Sequence, residues 1–150
     1  MSQVKTNINQ TVALRTVSED LAGAVVTACA EKAREIGKPM VIAVCDQAGT
    51  LKSFLRMDGA PLLSVDIAQN KAYTAVSFGI STDQWHEFVK NDPPLAMGIP
   101  HTPRLVIFGG GYPITVDGEL VGGVGVSGGH YTDDMEVARA GLAAVGLPTG

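Results

Sequence analysis

The 150-residue chain is short of charge, of aromatics and of cysteine. Lys, Arg, Asp and Glu together make 17% of it, below the roughly one quarter usual in soluble domains. Its 11 Lys and Arg form no cluster and the net charge is −4, which excludes a partner recognised through a phosphate backbone, nucleic acid above all. No apolar run reaches the roughly 18 residues of a membrane helix, so no membrane partner is expected. The opening MSQVKTNINQ lacks the apolar centre of a signal peptide, which predicts a cytoplasmic protein. Cys29 and Cys45 fall in a helical and a strand pattern and read as buried thiols. No HxH, HxxxH or HExxH spacing occurs, so a dedicated metal site is not supported.

What is present is apolar residue and glycine. The apolar share is 45%, enough for a sizeable core, and residues 1–150 read as one domain with a polar arm over 1–10. Twelve of the 18 glycines follow position 108. A surface so poor in charge implies that part of it is hidden in a homo-oligomer.

Apolar residues from Val12 to Ile36 recur at helical spacing, and Gly37 with Pro39 stops the helix. Met40–Asp46 and Thr50–Met57 read as a hairpin about the turn Asp46–Gly49. A second helix is expected from Asp58 to Gly79, and Ser81–Gln84 looks like a capping box for a third, to about Lys90. Asn91–Pro103 holds four prolines and reads as a loop or lid. Three strands follow, in RLVIFGG, YPITVD and ELVGGVGVSG, then a helix from Asp133 to about Val145. The order α-β-β-α-α-β-β-β-α, with short links between strands, predicts an α+β fold: a five-stranded antiparallel sheet with helices on both faces.

Two motif matches mislead. Gly123–Gly128 fits G-x-G-x-x-G, yet it lies in a hairpin-linked strand with no βαβ unit and no acid about 20 positions on. Gly125–Gly129 fits G-x-S-x-G around Ser127, but His130 follows too closely for a nucleophile elbow, and Asp133 and Asp134 suit a helix start. What remains is a glycine turn whose backbone N–H groups a ligand can approach. His130 stands in that turn and is the best functional candidate of the three histidines, ahead of His86 and His101. Arg56, Asp58 and Lys71 form a second group. Lys71 interrupts an alanine-rich face, where a lysine snorkels, pairs with an acid or holds an anion.

The runs VIAVCDQAGTLKSFLRMDGA, SVDIAQNKAYTAVSF, GGGYPITVDGELVGGVGVSGG and DDMEVARAG resemble the GlcG/HbpS family, the haem-binding-protein-like family that includes the C-terminal domain of PduO. The resemblance spans about residues 12–146. It implies a profilin-like fold, a homo-oligomer built from dimers, and ligand pockets near subunit interfaces. Arg56, Asp58, Lys71, Thr74, Gly125, Ser127 and Gly129 match the family pattern. His130 stands where many members carry threonine or another small polar residue. The E-x-x-E iron motif of some members is absent, since Glu31 and Glu35 are four apart.

Three functions compete. The first is an oligomer binding haem or a related tetrapyrrole, with His130 on the iron. Arg56, Asp58, Lys71, Thr74, Ser127, Gly128 and Gly129 would surround the ligand. The second is an isomerase, hydratase or hydrolase of small-molecule catabolism. His130 would be its general acid/base, and Arg56 and Lys71 would hold an anion. The third is a non-catalytic partner in a catabolic complex.

Overall fold

The computed structural model describes residues 6–150, so the first five positions of the expected arm lie outside the described residues. The elements are α1 (Glu19–Glu35), β1 (Val41–Asp46), β2 (Leu51–Arg56), α2 (Ser64–Phe78), α3 (Thr82–Val89), α4 (Pro93–Gly98), β3 (Gly111–Val116), β4 (Glu119–Ser127) and α5 (Tyr131–Ala144). The class is α+β as expected. The sheet, however, has four strands, all antiparallel, in the order β2-β1-β4-β3.

The expected fifth strand, Arg104–Gly110, is not one. Its first half is tied to α2, where Thr74 Oγ1 donates to the Arg104 carbonyl at 2.9 Å and accepts the Val106 N–H at 3.0 Å. Its last residue meets β4 through the Val126 N–H, which donates to the Gly110 carbonyl at 2.9 Å. Arg104 also has φ 66, a left-handed conformation that a strand cannot pass through. Other boundaries move for local reasons. The first helix begins at Glu19, not Val12, because Ser18 Oγ caps the Leu21 N–H at 3.1 Å. Residues 12–17 form no helix or strand, and the Val17 N–H reaches the Val121 carbonyl at 2.9 Å. Gly59, at φ 85, and Pro61 delay α2 to Ser64. The proline-rich loop contains α4 and a 3-10 turn, Ile99–His101. Pro93 and Pro94 sit in the first turn of α4, where no N–H is needed, and Asp92 caps Leu95. The hairpin turn after Asp46 and the Ser81–Gln84 capping box form as expected.

Helices cover both faces of the sheet. Ile42 and Val44 of β1 join Val124 and Val126 of β4 in the larger core, against α1 and α5. Val41, Ala43 and Cys45 turn the other way, toward Ala68, Ala72 and Val76 of α2. Three of the late glycines, Gly111, Gly123 and Gly125, serve this second face. Gly111, Gly125 and Ala43 are neighbours across three strands, forming a row of small residues. A Cβ at Gly125 would collide with the Ala68 carbonyl, and one at Gly123 with the Ala72 carbonyl. The backbone of α2 therefore rests directly on the backbone of the sheet.

Candidate functional site

β4 ends at Ser127, and Gly128, Gly129 and His130 turn the chain into α5. Gly128 has φ 151, and a Cβ there would meet the Pro39 carbonyl oxygen at 2.8 Å and Met40 Cα at 2.9 Å. The turn fits only glycine at that position.

Lys71 underlies the turn. The close approach of α2 buries it fully. Its Nζ donates to the Val126 carbonyl and to Asp134 Oδ2, both at 2.8 Å. Asp134 Oδ1 accepts the Gly129 N–H at 3.1 Å. One buried ion pair thus joins α2, the end of β4, the turn and α5. The Phe108 ring closes over the ammonium, its centre 5.0 Å from Nζ. Burial pushes Lys71 below the usual lysine range and Asp134 above the usual carboxylate range, each opposed by the partner's charge. Lys71 therefore follows one of its expected alternatives, pairing with an acid.

His130 is the N-cap of α5 and its side chain is open to solvent. Nδ1 lies 3.3 Å from the Thr132 N–H and 3.0 Å from Thr132 Oγ1. The tautomer decides what the ring can do. When Nδ1 accepts the Thr132 N–H, Nε2 carries the proton and cannot bind a metal. When Nδ1–H donates to Thr132 Oγ1, the lone pair of Nε2 is free. Beside the turn lies a cleft of about 430 Å³ lined by Ile107, Phe108, Tyr131 and Met135, with Asp83, His86 and Glu87 at its polar side. Asp83 Oδ1 is buried without a hydrogen-bond partner.

The remaining candidates are placed as follows. Ser127 Oγ donates to Ser64 Oγ at 3.0 Å. Arg56 and Ser127 both pair with Val41, so they share one row of the sheet, about 10 Å apart by strand spacing. Arg56 and Asp58 are exposed, and neither joins an ion pair among the described residues. Thr74 sits away from the turn, holding the Arg104–Val106 segment. No Ser–His–Asp relay forms, because Ser127 is bonded to Ser64, Asp133 to Lys38 and Asp134 to Lys71. No group of three or more His, Cys, Asp and Glu that could hold a metal occurs among the described residues. Cys29 and Cys45 are free and buried, their thiols pushed up to about 12 and about 11 by desolvation.

The sequence reading missed Asp134, Phe108, Met135 and Asp83 as site residues. Asp134 carried a signal. Adjacent helix positions point about 100° apart, so two neighbouring acids at a helix start meet different surroundings and one of them can turn inward.

The arrangement defines a class of protein: a helix-covered antiparallel sheet whose glycine turn presents one histidine beside an apolar cleft. The chain belongs to the HbpS-like family, described as "Haem degrading protein HbpS-like", which matches residues 17–143. It is 36% identical over 123 residues to the corrinoid adenosyltransferase PduO of Salmonella typhimurium, covering 81% of this chain but only 37% of PduO. A 15.0 kDa protein from the dhaT-dhaS intergenic region of Citrobacter freundii is 35% identical, with 90% of this chain and 96% of that protein covered. The crystal structure of a PduOC:heme complex superposes with a TM-score of 0.81 at 32% identity, covering 89% of this chain and 98% of that one.

Proposed function

We propose that the protein is an oligomeric small-ligand binder that holds haem or a related tetrapyrrole at the glycine turn, with His130 as the iron ligand. The observation that carries this reading is the exposed His130 imidazole on a turn fixed from beneath by the Lys71–Asp134 pair. The heme complex of PduOC, at TM-score 0.81, supports it. The donor set fits the group. An imidazole is a proper haem ligand, Thr132 Oγ1 can take the Nδ1 proton, and Ile107, Phe108, Tyr131 and Met135 offer an apolar wall to a flat macrocycle. Exposed Arg56 is the available cation for a propionate on the same sheet row as Ser127. Exposed Leu62 and Leu63, at the entry to α2, support a second copy covering that side.

The enzymatic alternative has Arg56 or Lys71 hold an anion. The Lys71 ammonium is sealed and already bonded to Val126 and Asp134, which leaves Arg56 for that role and weakens this reading against binding. Titration with haemin tests the proposal. A saturable Soret shift is expected, weakened in His130→Ala while the far-UV spectrum stays unchanged. No shift at micromolar haemin overturns it.

A further inference from the structure

A second cavity lies away from the glycine turn. About 550 Å³ in volume, it lies between the β1–β2 turn and the outer side of α2, with Arg104 at its edge, and shares no lining residue with the cleft beside His130. Asp66, Asn70 and Tyr73 stand on one stripe of α2, at helical spacings of four and three.

Arg104 is held in this cavity as few surface arginines are. Its Nε donates to Asn70 Oδ1 at 3.1 Å, and its guanidinium lies 3.8 Å from the centre of the Tyr73 ring. Its carbonyl is bonded by Thr74, and its φ of 66 is a conformation that a side-chain-bearing residue rarely adopts. Gly49, at φ 83, lets the hairpin turn close onto Tyr73, where a Cβ would lie 3.0 Å from two carbons of the ring. The ring is therefore fixed, and the guanidinium with it. The terminal nitrogens have no hydrogen-bond or ion-pair partner among the described residues. A fixed, unpaired fork of this kind suits a carboxylate, which it can bind through two parallel N–H···O bonds.

Asp66 lines the same cavity and is also unpaired among the described residues. A plain anion would meet its repulsion. A molecule carrying an ammonium as well would satisfy both ends, and Leu51 offers it an apolar contact. We propose that this cavity binds a small amino-acid-type zwitterion, with its carboxylate on Arg104 and its ammonium on Asp66.

Three probes of one shape separate the charges: L-leucine, 4-methylpentanoate without the ammonium, and isoamylamine without the carboxylate. Titrating each into labelled protein, the Arg104 Nε–Hε resonance should shift saturably with leucine, about tenfold more weakly with 4-methylpentanoate, and not with isoamylamine. Arg104→Gln should abolish leucine binding, read on the Asn70 side-chain amide. Asp66→Asn, a change at an exposed position, should make leucine and 4-methylpentanoate bind alike. Haemin titration should be unchanged in both variants, so this site stands or falls separately from the glycine turn. The absence of a saturable shift at millimolar leucine, or leucine binding retained in Arg104→Gln, overturns the proposal.

Discussion

Two lysine–aspartate pairs meet the start of α5 at adjacent carboxylates, and they behave in opposite ways. Asp133 takes Lys38 from the link between α1 and β1 at 2.5 Å, with side chains 24% and 48% exposed. Asp134 takes Lys71 at 2.8 Å, with side chains 3% and 0% exposed. The charges are the same and the solvent is not. The hydrogen bond from Lys38 holds the Asp133 carboxyl below the usual range. Burial pushes Asp134 above it despite Lys71. Pairing alone therefore says little about what an ion pair does. In water either partner can be lost cheaply, whereas in the dry pair each ion needs the other.

The comparison is tested hardest at Lys71. Lys71→Ala leaves Asp134 buried without its counter-charge and should cost about 3–5 kcal/mol in urea unfolding. Replacing both, Lys71→Met with Asp134→Leu, should recover most of that loss, since a packed apolar pair avoids the desolvation cost. A single variant within about 1 kcal/mol of the parent would show that burial does not couple the two ions.

The pair is dry because α2 lies on the glycine row, so the next largest effect is expected there. Gly125→Ala forces a methyl into the Ala68 carbonyl and should cost about 1–3 kcal/mol. Gly23→Ala is the control. It lies in α1 with nothing within 4 Å of the added carbon, and should stabilise by about 0.5–1 kcal/mol. Equal effects at the two positions would remove close packing as the reason for the glycines.

Much of this was legible in the sequence, and the rest failed for definable reasons. Strand alternation, the turn after Asp46, the Ser81 capping box and the four-strand core of the sheet are local signals, and they survive folding. The segment Arg104–Gly110 reads as a strand because Leu105, Val106 and Ile107 are β-formers. Whether an extended run joins a sheet depends on a free partner, and Thr74 claims its backbone first. The helical stripe from Val12 failed because capping at Ser18 outweighs periodicity. At the site, the glycine turn carrying His130 lies over Lys71, which the sequence groups with Arg56 and Asp58 instead, and the acid that joins them was hidden behind a capping motif. Such a contact, between residues 63 positions apart, exists only once α2 has been laid across β4.

Above the buried pair, the expected effect shifts from stability to ligand affinity. Thr132→Val keeps the shape of the side chain and removes the acceptor for an Nδ1 proton on His130. Haemin affinity should fall about tenfold, with a changed Soret line shape, while the urea midpoint stays close to the parent's. Unchanged affinity would mean that Thr132 does not set the His130 tautomer.

The smallest effect is expected at Lys38, and its sign under pH completes the contrast. The folded-state pKa of Asp133 lies below its unfolded value because Lys38 stabilises the carboxylate. Its contribution is therefore fully present above the unfolded carboxylate pKa and is lost as pH falls through the folded one. Lys38→Ala should shift the urea midpoint least of these variants at neutral pH. The shift should shrink in high salt and vanish in acid, where Asp133 is protonated in both states. The Lys71→Ala penalty should persist in high salt, because ions do not reach a pair with 0% and 3% exposure. If salt reduces both penalties alike, solvent access is not what separates the two carboxylates, and the fixed turn under His130 needs another support.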